Sequence, residues 1–193
     1  VKTCLYELSC RISLIASATA DYPLYILDNG GVEQEPDDWW RAMCKTTESI
    51  FEKTHISRES IAGISFCAQM QSVVLVDREG IPVRRSMSYM DCRSTEEFRK
   101  GIVHGIRFSG LNLRKLIRSI LITGAVSASV KDPVWKYSWV RSNEPEVFRR
   151  VHKWLDVKDY LVFKSCGRLV MSEDSAFATL LYDTRPGKKC FSK

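Results

Sequence analysis

Two short stretches gather side chains that could do chemistry together: Gln69, Met70 and Gln71 in "CAQMQSVVLV", and Tyr89, Asp91 and Arg93 in "SYMDCRS". Each adjoins an apolar, strand-like run, and polar groups at the strand ends of an α/β sheet tend to line the crevice where ligands bind. The hydroxyls of a neutral polyol need such partners, because Gln both donates and accepts while Asp accepts. Local structure offers the same residues another use. Gln69 and Gln71 suit a solvated turn, and Met70 suits a core. Asp91 with Arg93 suits an ion pair or a cap ahead of Ser94-Thr95-Glu96-Glu97, which reads as a helix start.

Other chemistries find less support. Neither GxGxxG nor GxxxxGK[ST] occurs, so dinucleotide and P-loop phosphate cradles have no motif here. His55, His104 and His152 stand apart from any supporting pattern and read as surface or capping residues. The partners of a catalytic triad meet in space, so linear order is silent on such a site. Seven cysteines, with no CxxC pair and no His at metal-ligand spacing, suggest neither a disulfide framework nor a zinc site. Free thiols in a reducing cytoplasm fit best, and no metal ligands are expected. The net charge of +6 comes from 29 Lys and Arg residues that are scattered, with short pairs at Arg84-Arg85, Arg149-Arg150 and Lys188-Lys189. No basic run is interleaved with aromatics, so a solvated basic surface is expected and a nucleic-acid partner is not. A nuclease of the ribonuclease H type would need clustered acids at strand ends, where only Asp77 and Asp91 stand. No run of about 18 apolar residues exists to cross a membrane, and the first residues lack the marks of a signal peptide.

The elements that must position these residues follow from periodicity and punctuation. CLYEL and ISLIASATADYPLYIL read as two or three antiparallel strands. After Asn29-Gly30-Gly31, a proline and two acids open a helix from about Asp37 to Lys53, with Trp40, Met43, Cys44, Ile50 and Phe51 on or near one stripe. Strands are expected at Ile61 to Cys67 and Ser72 to Asp77, with a turn at Arg78-Glu79-Gly80. Beyond about Thr95 the chain turns helical through EEFRKGIVHGI, LRKLIRSILI and EPEVFRRVHKWLDVKDYLVFKS, before a short β-like segment at Arg168 to Met171. The expectation is one α/β domain with a helical second half.

Four segments in order, "GGVEQEPDDWW", "IAGISFCAQMQSVVLVDREGIPVRRSMSYMDCRS", "DPVWKYSWVRSNEPEVFRRVHKWLDVKDYLVFKSCGRL" and "SEDSAFATLLYD", resemble the N-terminal domain of the FGGY carbohydrate kinases, nearest the xylulokinase-like branch. The resemblance covers nearly the whole chain. It implies a ribonuclease-H-like (actin-like ATPase) domain with a mixed sheet, one of two that close on ATP, Mg²⁺ and a sugar. The activity implied is transfer of the γ-phosphoryl group to a hydroxyl of a ketose or polyol. Gln69, Met70 and Gln71 match the sugar-lining Gly-Gln-Met-His-Gly, and Tyr89, Asp91 and Arg93 match Trp-Asn-Asp-Gln-Arg. Ala68, Gln71 and Ser72 replace Gly, His and Gly, while Tyr89 and Met90 replace Trp and Asn. These departures favour a polyol or ketose kinase over a specific xylulose kinase. In "DPVWKYSW", Lys136, Tyr137 and Trp139 fit the family's first signature, while Trp135, Trp139 and Trp154 read as helix-packing aromatics. The family's Asp-x-Gly-Thr-x-Ser loop would precede Val1, and its catalytic aspartate would follow Lys193. The expectation is therefore a sugar-side domain truncated at both ends and inactive alone, with no catalytic residue of its own. The alternative is a non-catalytic sugar sensor or pseudo-kinase with the same fold. Self-association as a homodimer stays open.

Overall fold

Alternating side chains carry β1 (Lys2–Leu8) and β2 (Ile12–Thr19) into an antiparallel hairpin in which Lys2 faces Thr19. This computed structural model describes residues 1–188, 190 and 191; Lys189, Lys193 and the side chain of Cys190 lie outside the described residues. Strand β3 (Tyr25–Ile26) turns through Asn29-Gly30-Gly31 into β4 (Val32–Gln34). Pro36 then opens α1 (Pro36–Thr54) at a position where its missing N–H costs nothing, with Asp37 and Asp38 at the positive end of the helix. The stripe that goes inside is Trp39, Ala42, Thr46 and Ile50, one residue off the expected face. Ala42 and Thr46 are small enough for the helix to lie close on the hairpin, where the Thr46 and Thr3 hydroxyls meet at 2.6 Å.

Strand β5 (Val74–Val76) is buried on both faces, as its uninterrupted apolar run requires. Val74 and Val76 pack with Trp39, Leu155, Val157, Tyr160 and Leu161 on one side. Val73 and Leu75 pack with Val83, Met87 and Val140 on the other. The turn after β5 comes where expected: Gly80 has φ +81°, and a Cβ there would lie 2.1 Å from the Phe163 ring. Strand β6 (Ser86–Met87) pairs with β4, and a bridge between Val73 and Met87 carries the sheet on toward β5.

The second half is helical as expected, with short strands between the helices. Helix α2 (Thr95–Phe98) runs into a π-helical turn at Arg99–Val103, followed by the hairpin β7 (Arg107–Phe108) and β8 (Leu111–Asn112). Next come α3 (Leu113–Thr123), α4 (Pro133–Asn143) and α5 (Pro145–Arg149). Then follow β9 (Lys153–Leu155), α6 (Val157–Cys166), α7 (Glu173–Ala178), β10 (Tyr182–Asp183) and β11 (Cys190–Phe191).

Three expectations fail on tertiary grounds. Ile61–Cys67 forms no ladder with another described strand and is largely exposed, so its apolar run has no neighbour to complete a strand. Arg168–Met171 is likewise not a strand. Lys153–Leu155, read as part of a helix, is a strand because Leu155 and Trp154 pair with Val74 and Leu75. A ladder partner in the core overrides local propensity.

Candidate functional site

The segment Gln69 to Ser72 enters β5 through Gln71, whose φ of +63° is left-handed, a conformation that needs outside support in a residue with a side chain. That support comes from charged groups far along the chain. The N–H groups of Gln71 and Ser72 donate to the two oxygens of Asp156, at 3.0 and 3.2 Å. The Gln71 carbonyl accepts from Lys136 Nζ at 2.6 Å, and the same ammonium donates to the Ser88 carbonyl at 2.9 Å. Asp156 holds this place because it caps α6, accepting from Val157 N–H while Asp159 accepts from Asp156 N–H. Burial pushes the Asp156 carboxyl up to about 6, against the pull of the Val157, Gln71 and Ser72 N–H groups. Burial pushes the Lys136 ammonium down to about 8, opposed by Asp91, Asp156 and Asp132.

Behind the second segment lies a buried ionic cluster. Asp91 is fully buried; it accepts from Val32 N–H at 2.9 Å and from the Arg93 guanidinium, whose Nη2 is 2.8 Å away. Arg93 also donates to Glu33 at 2.7 Å, and Arg84 reaches the same Glu33 oxygen at 2.6 Å. The guanidinium of Arg93 stacks over Trp139, 4.5 Å from the ring centroid. It passes so close to Gly31 that a Cβ there would lie 2.8 Å from Nε.

The six residues expected to face a ligand fall into two groups. Gln69 is half-buried and donates to Gln34 on β4. The Gln71 side-chain amide has no hydrogen-bond partner among the described residues, and Met70 and Tyr89 are 51 and 45 % exposed. All four reach solvent, Gln69 and Gln71 partly and Met70 and Tyr89 openly. Asp91 and Arg93 are instead buried and paired, which is the ion pair that local structure also allowed. Lys136 joins the two stretches through the Gln71 and Ser88 carbonyls. A cavity of about 510 Å³ between Thr19–Pro23 and α1 contains none of these residues.

Sequence reasoning missed Glu33, Gln34 and Asp156. Their signals were present: the first two stand in the quoted "GGVEQEPDDWW", and Asp156 with Asp159 has the spacing of a capping box. Trp154 is not a helix aromatic; it lies on β9, stacked on Tyr137 at 5.0 Å. Asp77 serves the turn at Arg78-Glu79-Gly80, its carboxylate accepting from the Glu79 and Ile81 N–H groups. Gly167 ends α6 with φ +70°.

Hydrogen bonding to a polar, uncharged ligand is what this surface can do. Mg²⁺ does not fit it, because the oxygens of Asp91 and Asp156 already accept from N–H groups and the Arg93 guanidinium. Among the described residues no group of three His, Cys, Asp or Glu side chains could hold a metal ion. No helix among them is long and apolar enough to cross a membrane.

The layered α/β architecture is the actin-like ATPase fold seen in sugar kinases. A xylulose kinase from Brucella ovis superposes with a TM-score of 0.82 at 24 % identity, covering 99 % of this chain and 36 % of that one. The FGGY family of carbohydrate kinases, N-terminal domain, matches residues 1–188, and the chain belongs to this family. A xylulose kinase from Staphylococcus epidermidis is 29 % identical over 171 residues, which is 89 % of this chain and 32 % of that protein. A gluconokinase from Bacillus subtilis is 26 % identical over 166 residues, 86 % of this chain and 30 % of the relative. The chain thus spans about a third of the length of the curated relatives it matches.

Proposed function

We propose that this chain is the sugar-side domain of an ATP-dependent sugar kinase that phosphorylates a hydroxyl of a ketose or polyol of the xylulose kind. The observation that carries the reading is the Gln69–Gln71 turn, pinned by Asp156 and Lys136 while the Gln71 side-chain amide has no hydrogen-bond partner among the described residues. A fixed backbone with a free amide is pre-organised to bind hydroxyls. Gln69 and Gln71 serve as hydroxyl partners, Met70 as an apolar wall under the carbon chain, and Tyr89 as a flanking surface. Asp91 and Arg93 act one layer beneath. ATP and Mg²⁺ are held by other residues of the full-length protein, and the aspartate base belongs with them.

The test is phosphoryl transfer from Mg-ATP by the full-length gene product across ketoses, polyols, aldoses and gluconate, comparing wild type with Gln71→Ala. Activity on one sugar class, with kcat/KM lowered about tenfold or more in the variant, supports the kinase and the role of the turn. A folded protein that binds a sugar without phosphorylating it would replace the kinase with a sensor on the same fold.

A further inference from the structure

Lys136 occupies a position where its helix would be expected to present a hydrocarbon. The buried residues of α4 are Pro133, Lys136 and Val140, one stripe at helical spacing, and Lys136 is as fully buried as Val140. Among the described residues the ammonium makes no salt bridge. Its hydrogen bonds go to two backbone carbonyls, those of Gln71 and Ser88. A methionine would fill the same space without the desolvation that a buried cation carries. The charge therefore needs a local task.

The peptide group between Gln71 and Ser72 supplies one. Its carbonyl accepts from Lys136 and its N–H donates to Asp156, so one peptide plane is gripped at both ends by opposite charges. A flip of that plane would set its carbonyl against a carboxylate and its N–H against an ammonium. The second bond of Lys136 ties the same plane to the carbonyl preceding Tyr89. We infer that Lys136 is a positioning residue that clamps the Gln69–Gln71 turn to the Ser88–Tyr89 strand end and holds them in one fixed relation. The effect on sugar binding rests on the function proposed above, whereas the clamp itself does not. Asp91, Asp156, Asp132 and Cys92 are the other titratable groups whose fields reach this ammonium.

Two measurements on the full-length protein separate the questions. The first is amide hydrogen exchange without sugar: Lys136→Met speeds exchange at Gln71 and Ser72 by about tenfold or more while leaving Val74–Val76 protected. Unchanged protection at Gln71 and Ser72 would overturn the clamp whatever the ligand is. The second is a cycle of Lys136→Met, Gln71→Ala and the double variant, assayed with D-xylulose or with another sugar that the panel selects. Lys136→Met raises the sugar KM about tenfold with the ATP KM within about twofold, and adds little once Gln71 is Ala. Independent, multiplying effects, or a sugar KM that does not move, would show that Lys136 does not act through this turn. A wild type inactive on every sugar would defeat the kinase reading and leave the exchange result standing. If Lys136→Met fails a thermal-unfolding check, Lys136→Gln, with two uncharged donors on a shorter chain, takes its place with smaller shifts of the same sign.

Discussion

Around β4, β6 and α4 the charges are inside: Asp91 and Lys136 are fully buried, and the Arg93 side chain is 5 % exposed. Around β7, β8 and α3 the apolar groups are outside: Ile106, Phe108 and Leu121 are 82, 63 and 66 % exposed. The two regions invert the usual sorting, and the difference lies in partners. In the first, β4, β6 and the loop after it converge with α4 and α6, so each buried charge meets N–H groups, carbonyls or an opposite charge. In the second, α3 packs on β8 and β10, and no described element covers its outer face. Hydropathy sets what a side chain prefers, while the surrounding elements decide whether that preference is met.

The contrast is most easily broken at Arg93. Arg93→Met leaves Asp91 buried without its cation and is expected to cost about 3–5 kcal/mol in urea unfolding. A loss below about 1 kcal/mol would mean that the cluster is not held by this pair. Lys136 comes next, through pH. Burial holds its folded pKa at about 8, below the ordinary lysine value of 10.5, so between these values the unfolded chain binds a proton that the folded chain has released. Stability then rises with pH across that window, by up to about 1.4 kcal/mol per unit from this group, and the slope disappears in Lys136→Met. Persistence of the slope in the variant would assign it to another group.

Asp156→Ala removes the cap of α6 and the acceptor for Gln71 and Ser72, for an expected loss of about 1–2 kcal/mol. The smallest effect belongs to the other region. Leu121→Lys is expected to change stability by no more than about 0.5 kcal/mol, because the side chain is already in water. A larger loss in thermal unfolding would show that this face is covered in solution and would narrow the contrast between the regions.

Much of the fold could be read in advance where the signal was local. The first hairpin, the proline-led α1, the strand at β5 and the turn at Gly80 each carry their cause within a few residues. Errors came where one periodicity admitted two partners. Ile61–Cys67 has strand composition but no ladder, and Lys153–Leu155 continues a helical pattern yet pairs with β5. The inward stripe of α1 lies one position off the expected face because Trp39 and Trp40 both fit the period, and only the packing of Trp39 against β5 and α6 distinguishes them.

For the site, the sequence alone determined which residues could meet a hydroxyl: two amides in a turn, and a carboxylate and guanidinium two residues apart. It also placed Asp91 beside Arg93, since residues so close along the chain meet almost regardless of fold. Only the tertiary structure decided that this pair is buried against Glu33 and Trp139, and that Gln71 is held by Asp156 and Lys136, 85 and 65 positions away. Bonds of that span depend on how β5 registers with β9 and how α4 and α6 pack around them. No local propensity encodes that register, because it is fixed by burial on both faces of one short strand.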